Sequence, residues 1–175
     1  MTDEETGFKS ERFGHSPVMP ANVRPGQVMG LVEVTGGLGS RVDVSTLADE
    51  LGDDLAVLLP ILDAAELLGL VQSAGGAVVL TDFGEEFQKQ VKDKIFVLKN
   101  NLSKLEPFRT ALELAARKGE VSAREVSEEL AIEGIRLHHA DDINEALVQG
   151  LLLHWGIRAG LLSYDGKSSK FQRAR

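Results

Sequence analysis

Cysteine is absent from the 175-residue sequence, which excludes disulfides and thiolate metal sites and gives an oxidising compartment no support. Aromatic residues make up only 5%, so aliphatic packing has to carry the core. Long apolar runs are missing as well. The stretches around residues 55–70 and 146–162 are broken by charge, proline or glycine and fall short of a membrane span. Met1 to Ser16 holds Asp3, Glu4, Glu5 and Glu11 instead of the apolar run of a secretory signal. A cytoplasmic protein without membrane insertion is the expectation.

Catalysis has little to draw on. The spacing G-x-x-x-x-G-K-[ST], whose backbone N–H groups and lysine cradle nucleotide phosphates, occurs nowhere. Gly37-Leu38-Gly39-Ser40 does not complete the Gly-x-Ser-x-Gly of a nucleophile elbow, and Gly36 to Gly39 follows a predicted helix, not a strand, so it reads as a turn. Histidine is limited to His15, His138, His139 and His154. His138-His139 with Asp141-Asp142 holds metal-ligand residue types, yet adjacent side chains point apart, and a loop ending in an acidic helix cap is the simpler reading. His154 beside Trp155 reads as a satisfied histidine on a helix flank. Asp53-Asp54 and Asp141-Asp142 stand at helix N-termini, where the backbone favours negative charge. No catalytic residue, metal or cofactor is expected.

Charge is present in quantity and is unevenly spread. The net charge is -8, but residues 41–82 carry one cation against eight carboxylates while residues 83–118 carry eight cations against five. Residues 119–162 are acidic again, and the last thirteen residues hold four cations against one carboxylate.

The order of elements follows from periodicity and punctuation. Residues 1–22 show no period and read as a tail. Pro25 opens a short helix with Val28, Leu31 and Val32, stopped at Gly36-Gly37. A brief strand at Arg41 to Val44 precedes a helix capped by Ser45, and Asp53 or Asp54 caps a second helix whose stripe is Leu58, Ile61, Leu62, Ala65 and Leu68. Pro60 lies inside it and predicts a kink or an irregular first turn. Leu70–Ala74 and Ala77–Thr81 flank Gly75-Gly76 as a tight hairpin. Strand, helix, turn, helix, hairpin is the order of a winged helix.

Thr81 then caps a predicted long amphipathic helix carrying Phe83, Phe87, Val91, Ile95, Leu98, Leu102 and Leu105. Pro107 interrupts it, and a fresh helix from Phe108 ends at Gly119. The first order then recurs. Ser122 and Glu125 have the spacing of a capping box, Asp141 or Asp142 opens a helix with Ile143, Ala146, Leu147, Leu151 and Trp155, and Asp165-Gly166 is the turn of a closing hairpin. The expected fold is mainly α (α+β): two winged-helix-like lobes, 23–82 and 106–175, joined by a connecting helix over 83–105, behind a tail over 1–22.

In this order the residues resemble the AAA-associated C-terminal domain, an accessory domain of ABC-transporter ATPases of the nitrate, sulfonate and taurine type. The resemblance runs from Met19 to Asp165, through Met19-Pro20, Gly30-Leu31-Val32-Glu33, Leu47-Ala48-Asp49-Glu50-Leu51, Leu58-Leu59-Pro60 and Leu67-Leu68-Gly69. It continues through Leu80-Thr81 with Gly84, and its most distinctive parts are Trp155-Gly156 and Leu162-Ser163-Tyr164-Asp165. Where the family usually shows Trp-Gly-Arg, this chain has Ile157 and then Arg158. The resemblance implies a non-catalytic regulatory or protein-interaction module, here as a stand-alone chain that either docks onto a separate protein partner such as a transporter ATPase or has been reused for another role.

The other reading is a winged-helix DNA-binding regulator acting as a homodimer. The helix that would enter the groove, residues 53–69, has four carboxylates and no Lys or Arg, which disfavours nucleic acid. The contact candidates for an anion or a partner are Lys167, Lys170, Arg173 and Arg175 on the closing hairpin, with Lys92 and Lys99 on the connector.

Overall fold

The structure, a computed structural model, describes residues 16–175. It is mainly helical, with nine α-helices and two small antiparallel sheets among the described residues. The described residues divide into two compact units, residues 22–101 and residues 102–175, the latter taking in residues 16–21.

In the first unit α1 (Pro25–Gly37) is central, packing against α2 (Val44–Leu51), α3 (Leu55–Leu67) and α4 (Asp82–Lys89). Proline at its first position costs no hydrogen bond there, and Val28, Leu31 and Val32 are buried. Its buried Thr35 donates its hydroxyl to the Leu31 carbonyl at 2.7 Å, so the only polar group in that stripe is satisfied inside the helix. Strand β1 (Arg41–Asp43) pairs with β3 (Ala77–Leu80), which also pairs with β2 (Val71–Ala74), giving the order β1-β3-β2. The β2–β3 turn is the two residues Gly75 and Gly76 at φ 57° and 79°, as Gly-Gly predicts. Helix α2 starts one residue before the predicted Ser45 cap, behind Asp43, whose side chain makes no capping bond.

Thr81 ties this hairpin to α4. Its hydroxyl accepts the Gly84 N–H at 2.9 Å and donates to the Gly69 carbonyl at 2.5 Å. A Cβ on Gly84 would lie 2.0 Å from the Leu70 carbonyl oxygen, so only glycine lets the helix start so close to the backbone.

The long connecting helix is not formed. Helix α4 ends at Lys89, Gln90 is extended at φ -66° and ψ 126°, and Asp93 is left-handed at φ 53° before the short α5 (Lys94–Val97) and α6 (Lys99–Leu102). Ile95, Leu98, Leu102 and Leu105 are buried as expected, but Val91, which lies in the turn between the helices, is 89% exposed, so the predicted stripe does not run through as one face.

In the second unit α7 (Phe108–Lys118) packs against α8 (Ala123–Ile132), and α8 against α9 (Asp141–Leu151), which continues as a π-helical turn over Leu152–Ile157. The hairpin β4 (Leu162–Asp165) and β5 (Lys170–Arg173) closes the unit, and Val121 bridges Phe171 beside it. The predicted capping box is present: Ser122 Oγ accepts the Glu125 N–H at 3.1 Å and Glu125 Oε2 accepts the Ser122 N–H at 2.7 Å.

The closing turn differs from the predicted two-residue Asp-Gly turn. Asp165 pairs with Lys170, leaving residues 166–169 in the loop, with the positive φ at Ser169. Asp165 accounts for the wider loop by accepting the Lys167 N–H at 2.9 Å, an Asx turn.

The tail prediction needs correction where it can be compared. Residues 1–15 lie outside the described residues. Residues 17–19 are anchored: Glu106 N–H donates to the Pro17 carbonyl at 2.8 Å, Met19 N–H donates to the Glu106 carbonyl at 2.9 Å, and Met19 is fully buried. The Glu106 carboxylate is also fully buried, with Oε2 accepting the Thr110 N–H at 3.1 Å and Oε1 2.6 Å from Arg109 Nη2. Among the described residues, no helix is long and apolar enough to cross a membrane.

Candidate interaction site

Helix α3 departs from an ordinary amphipathic helix. Ten of its thirteen residues are apolar, so one face cannot hold them all. Asp54 starts it by accepting the Val57 N–H at 3.1 Å. Asn101 Nδ2 donates to the Leu68 carbonyl at 2.6 Å at its far end. The helix runs as one element through Pro60, where a kink or irregular first turn was predicted.

Leu58, Ile61, Leu62, Ala64 and Ala65 face the core. Leu55 and Leu59, one turn apart, are each 51% exposed and form an outward ridge that continues to exposed Asp63. Val57 is exposed beside them. Asp54 and, at the end of α2, Asp49 and Glu50 are exposed carboxylates on neighbouring positions. Glu66 is committed elsewhere, its Oε1 accepting the Ser73 N–H at 2.6 Å. An apolar ridge with an acidic border and no Lys or Arg on the helix favours burial against apolar protein surface and disfavours phosphate.

The residues singled out in the sequence are divided between the two units. Lys92 and Lys99 belong to the first unit, and Lys99 Nζ sits 5.4 Å from the centre of the Phe96 ring, a cation–π contact. Lys167, Lys170, Arg173 and Arg175 belong to the second. Lys170 reaches Glu125 Oε2 at 3.4 Å and is thereby used at the start of α8, while Lys167, Arg173 and Arg175 are exposed. Glu125 also pairs with Lys118. That bond and the Ser122 N–H, with Lys170 adding to them, hold the Glu125 carboxyl from its ordinary 4.5 down to about 2 against a smaller opposing cost of burial.

Trp155, Gly156, Tyr164 and Asp165 are structural in this fold. Trp155 is fully buried, and a Cβ on Gly156 would stand 3.1 Å from Leu162 Cδ1 and 3.6 Å from Phe108 Cδ1. The Tyr164 ring lies against Phe171 at 4.7 Å. The Asp165 carboxyl is held below its ordinary value, chiefly by the Lys167 N–H.

The histidine loop is likewise self-satisfied. His138 and His139 stack at 4.2 Å, His138 Nδ1 accepts the Ala140 N–H at 3.0 Å, and Asp141 pairs with Arg136. Buried Asn144 pins that loop, accepting the Leu137 N–H at 2.7 Å and donating to Ser127 Oγ at 2.9 Å. Among the described residues no group of three or more His, Cys, Asp or Glu side chains is placed to hold a metal ion.

The outward leucines of α3 were missed in the sequence because periodicity was used to find the buried stripe alone. The excess of apolar residues on the opposite face was the available signal. No curated protein and no solved structure matches the chain. The family model of the C-terminal AAA-associated domain matches residues 45–165, from the start of α2 to the end of β4 and more than half of the sequence. The chain therefore belongs to the C-terminal AAA-associated domain family.

Proposed function

We propose that this chain is a non-catalytic regulatory module that binds a protein partner through the outward face of α3. Its two units are read as winged helices, each with a helix, a short extended pairing, two further helices and a hairpin in that order. The observation that carries the reading is the exposed Leu55–Leu59 ridge on a helix without a single Lys or Arg. In a DNA reader the corresponding helix meets phosphate, whereas an exposed apolar ridge is stabilised by contact with another protein. The family resemblance supports a transporter ATPase as that partner.

The test is retention on a column carrying the cognate ATPase, together with an ATP-hydrolysis assay of the purified chain. Retention that Leu59→Asp abolishes, with no hydrolysis by the chain alone, supports the reading. Failure of the unaltered chain to be retained by any ATPase of the host overturns the choice of partner.

The second reading, DNA binding by a homodimer, draws on the exposed Lys167, Arg173 and Arg175 of the closing hairpin. It requires affinity for duplex DNA that falls steeply with salt and a slope that flattens in the Lys167→Glu variant. Salt-independent or undetectable binding removes it.

A further inference from the structure

Seven of the nine large apolar side chains exposed among the described residues belong to the first unit, and they fall mainly into two groups of opposite electrostatic character. The first is the α3 ridge, Leu55 and Leu59 with Val57, bordered by Asp54 and Asp63. The second lies where the predicted connecting helix breaks. Val91 is 89% exposed, Phe96 53% and Val97 37%, and the cations of this stretch are Lys92, Lys94 and Lys99. Lys94 and Lys99 are held in place, and exposed Asp93 is the one carboxylate of the stretch. Lys94 Nζ donates to the Gln88 carbonyl at 3.3 Å and stands 5.7 Å from the Phe87 ring centre, and Lys99 stands over Phe96. Holding cations against aromatic faces beside exposed Val and Phe leaves a surface that is both apolar and positive.

We infer that two copies of this chain pair reciprocally, the α3 face of each against the residue 91–99 face of the other. Pairing α3 with α3 would set carboxylates against carboxylates, and pairing 91–99 with itself would set lysines against lysines. Only the cross pairing covers both apolar groups and brings opposite charges together, which selects the register as well as the partner. A two-fold axis makes the contact twice and closes the assembly, so no open chain of copies forms. This rests on the reading of α3 as the interaction face and makes a second copy its occupant. A heterologous partner on the same face then competes with self-association.

The experiment is sedimentation of the full chain from about 1 μM to 1 mM, unaltered, as Leu59→Asp and as Phe96→Asp, and with the two variants mixed. Unchanged circular dichroism and thermal midpoints certify that both variants are folded. Each substitution alone damages both copies of the contact, and the dissociation constant rises about tenfold or more. Mixed together, one of the two contacts pairs an intact α3 with an intact 91–99 face, and a heterodimer reappears. Dimerisation that the mixture does not restore overturns the reciprocal pairing. So does an unaltered chain that stays monomeric throughout. If that monomer is still retained by the ATPase column in a Leu59-dependent way, the inference fails while the proposed function stands.

Discussion

The two units follow one order of elements and spend their apolar residues differently. In residues 102–175 α9 and its π-helical continuation bury Val148, Leu151 and Trp155 and turn Asn144 inward to hold a loop, while Ile143 and Ala146 of the predicted stripe are exposed. In residues 22–101 the corresponding helix, α3, fills the core with five residues and still presents Leu55 and Leu59 to solvent. The family motif residues follow the same division. Trp155 and Gly156 make the interior of one unit, while Leu59 and Pro60 sit on the exposed or half-exposed side of the other. The two units therefore differ in how much apolar side chain such a helix leaves exposed, and fold alone does not say what an exposed face is for.

The contrast can be broken most strongly at Trp155. Trp155→Ala removes a fully buried side chain from the second unit and should cost about 3 to 5 kcal/mol, seen by calorimetry as a lowered midpoint. In the first unit the sharpest test is Gly84→Ala, whose methyl would meet the Leu70 carbonyl; a loss of about 1 to 3 kcal/mol is expected. Gly36→Ala is its control. There the new methyl meets only the end of the Gln88 side chain, which can swing away, and the effect should stay within about 0.5 kcal/mol.

Glu106→Ala takes the carboxylate from the Thr110 N–H and from Arg109, and should cost about 2 kcal/mol. Amide exchange at Met19 should quicken with it, since that N–H bonds the Glu106 carbonyl. Burial opposes the Arg109 charge, but Glu106, with Glu113 and Glu133, outweighs it and holds the guanidinium above its ordinary value, so arginine stays charged throughout.

A further effect is pH-dependent. Glu125 is held at about 2 in the fold against its ordinary 4.5, so its contribution is fully present above pH 4.5 and is lost as pH falls through about 2. Glu125→Gln should flatten that part of the acid limb in a stability–pH profile.

Much of this was legible in the sequence because local signals agreed with tertiary need. Gly75-Gly76 required positive φ at both turn residues, Ser122 and Glu125 had complementary groups three apart, and Thr81 preceded a helix it could cap. The connector was misread because its stripe is apolar at Val91, and periodicity does not reveal whether such a residue is buried. The Asp165-Gly166 turn was misread because the aspartate side chain, not the glycine backbone, organises the loop. Residues 17–19 carried no periodic signal at all, since backbone bonds to Glu106 hold them and backbone groups are the same in every sequence. The basic residues and their division between the closing hairpin and the 83–105 segment were visible in the sequence; that Lys92 and Lys99 belong to the first unit was not.

That anchoring has a consequence in time. Val18 and Glu106 are bridged across 88 positions of sequence, and every residue of the 22–101 unit emerges between them during synthesis. At ribosomal rates the wait for Glu106 is on the order of 10 s, ample for the intervening unit to fold. The 22–101 unit can thus be complete before Val18 meets Glu106, and residues 17–19, though made earlier, settle after it.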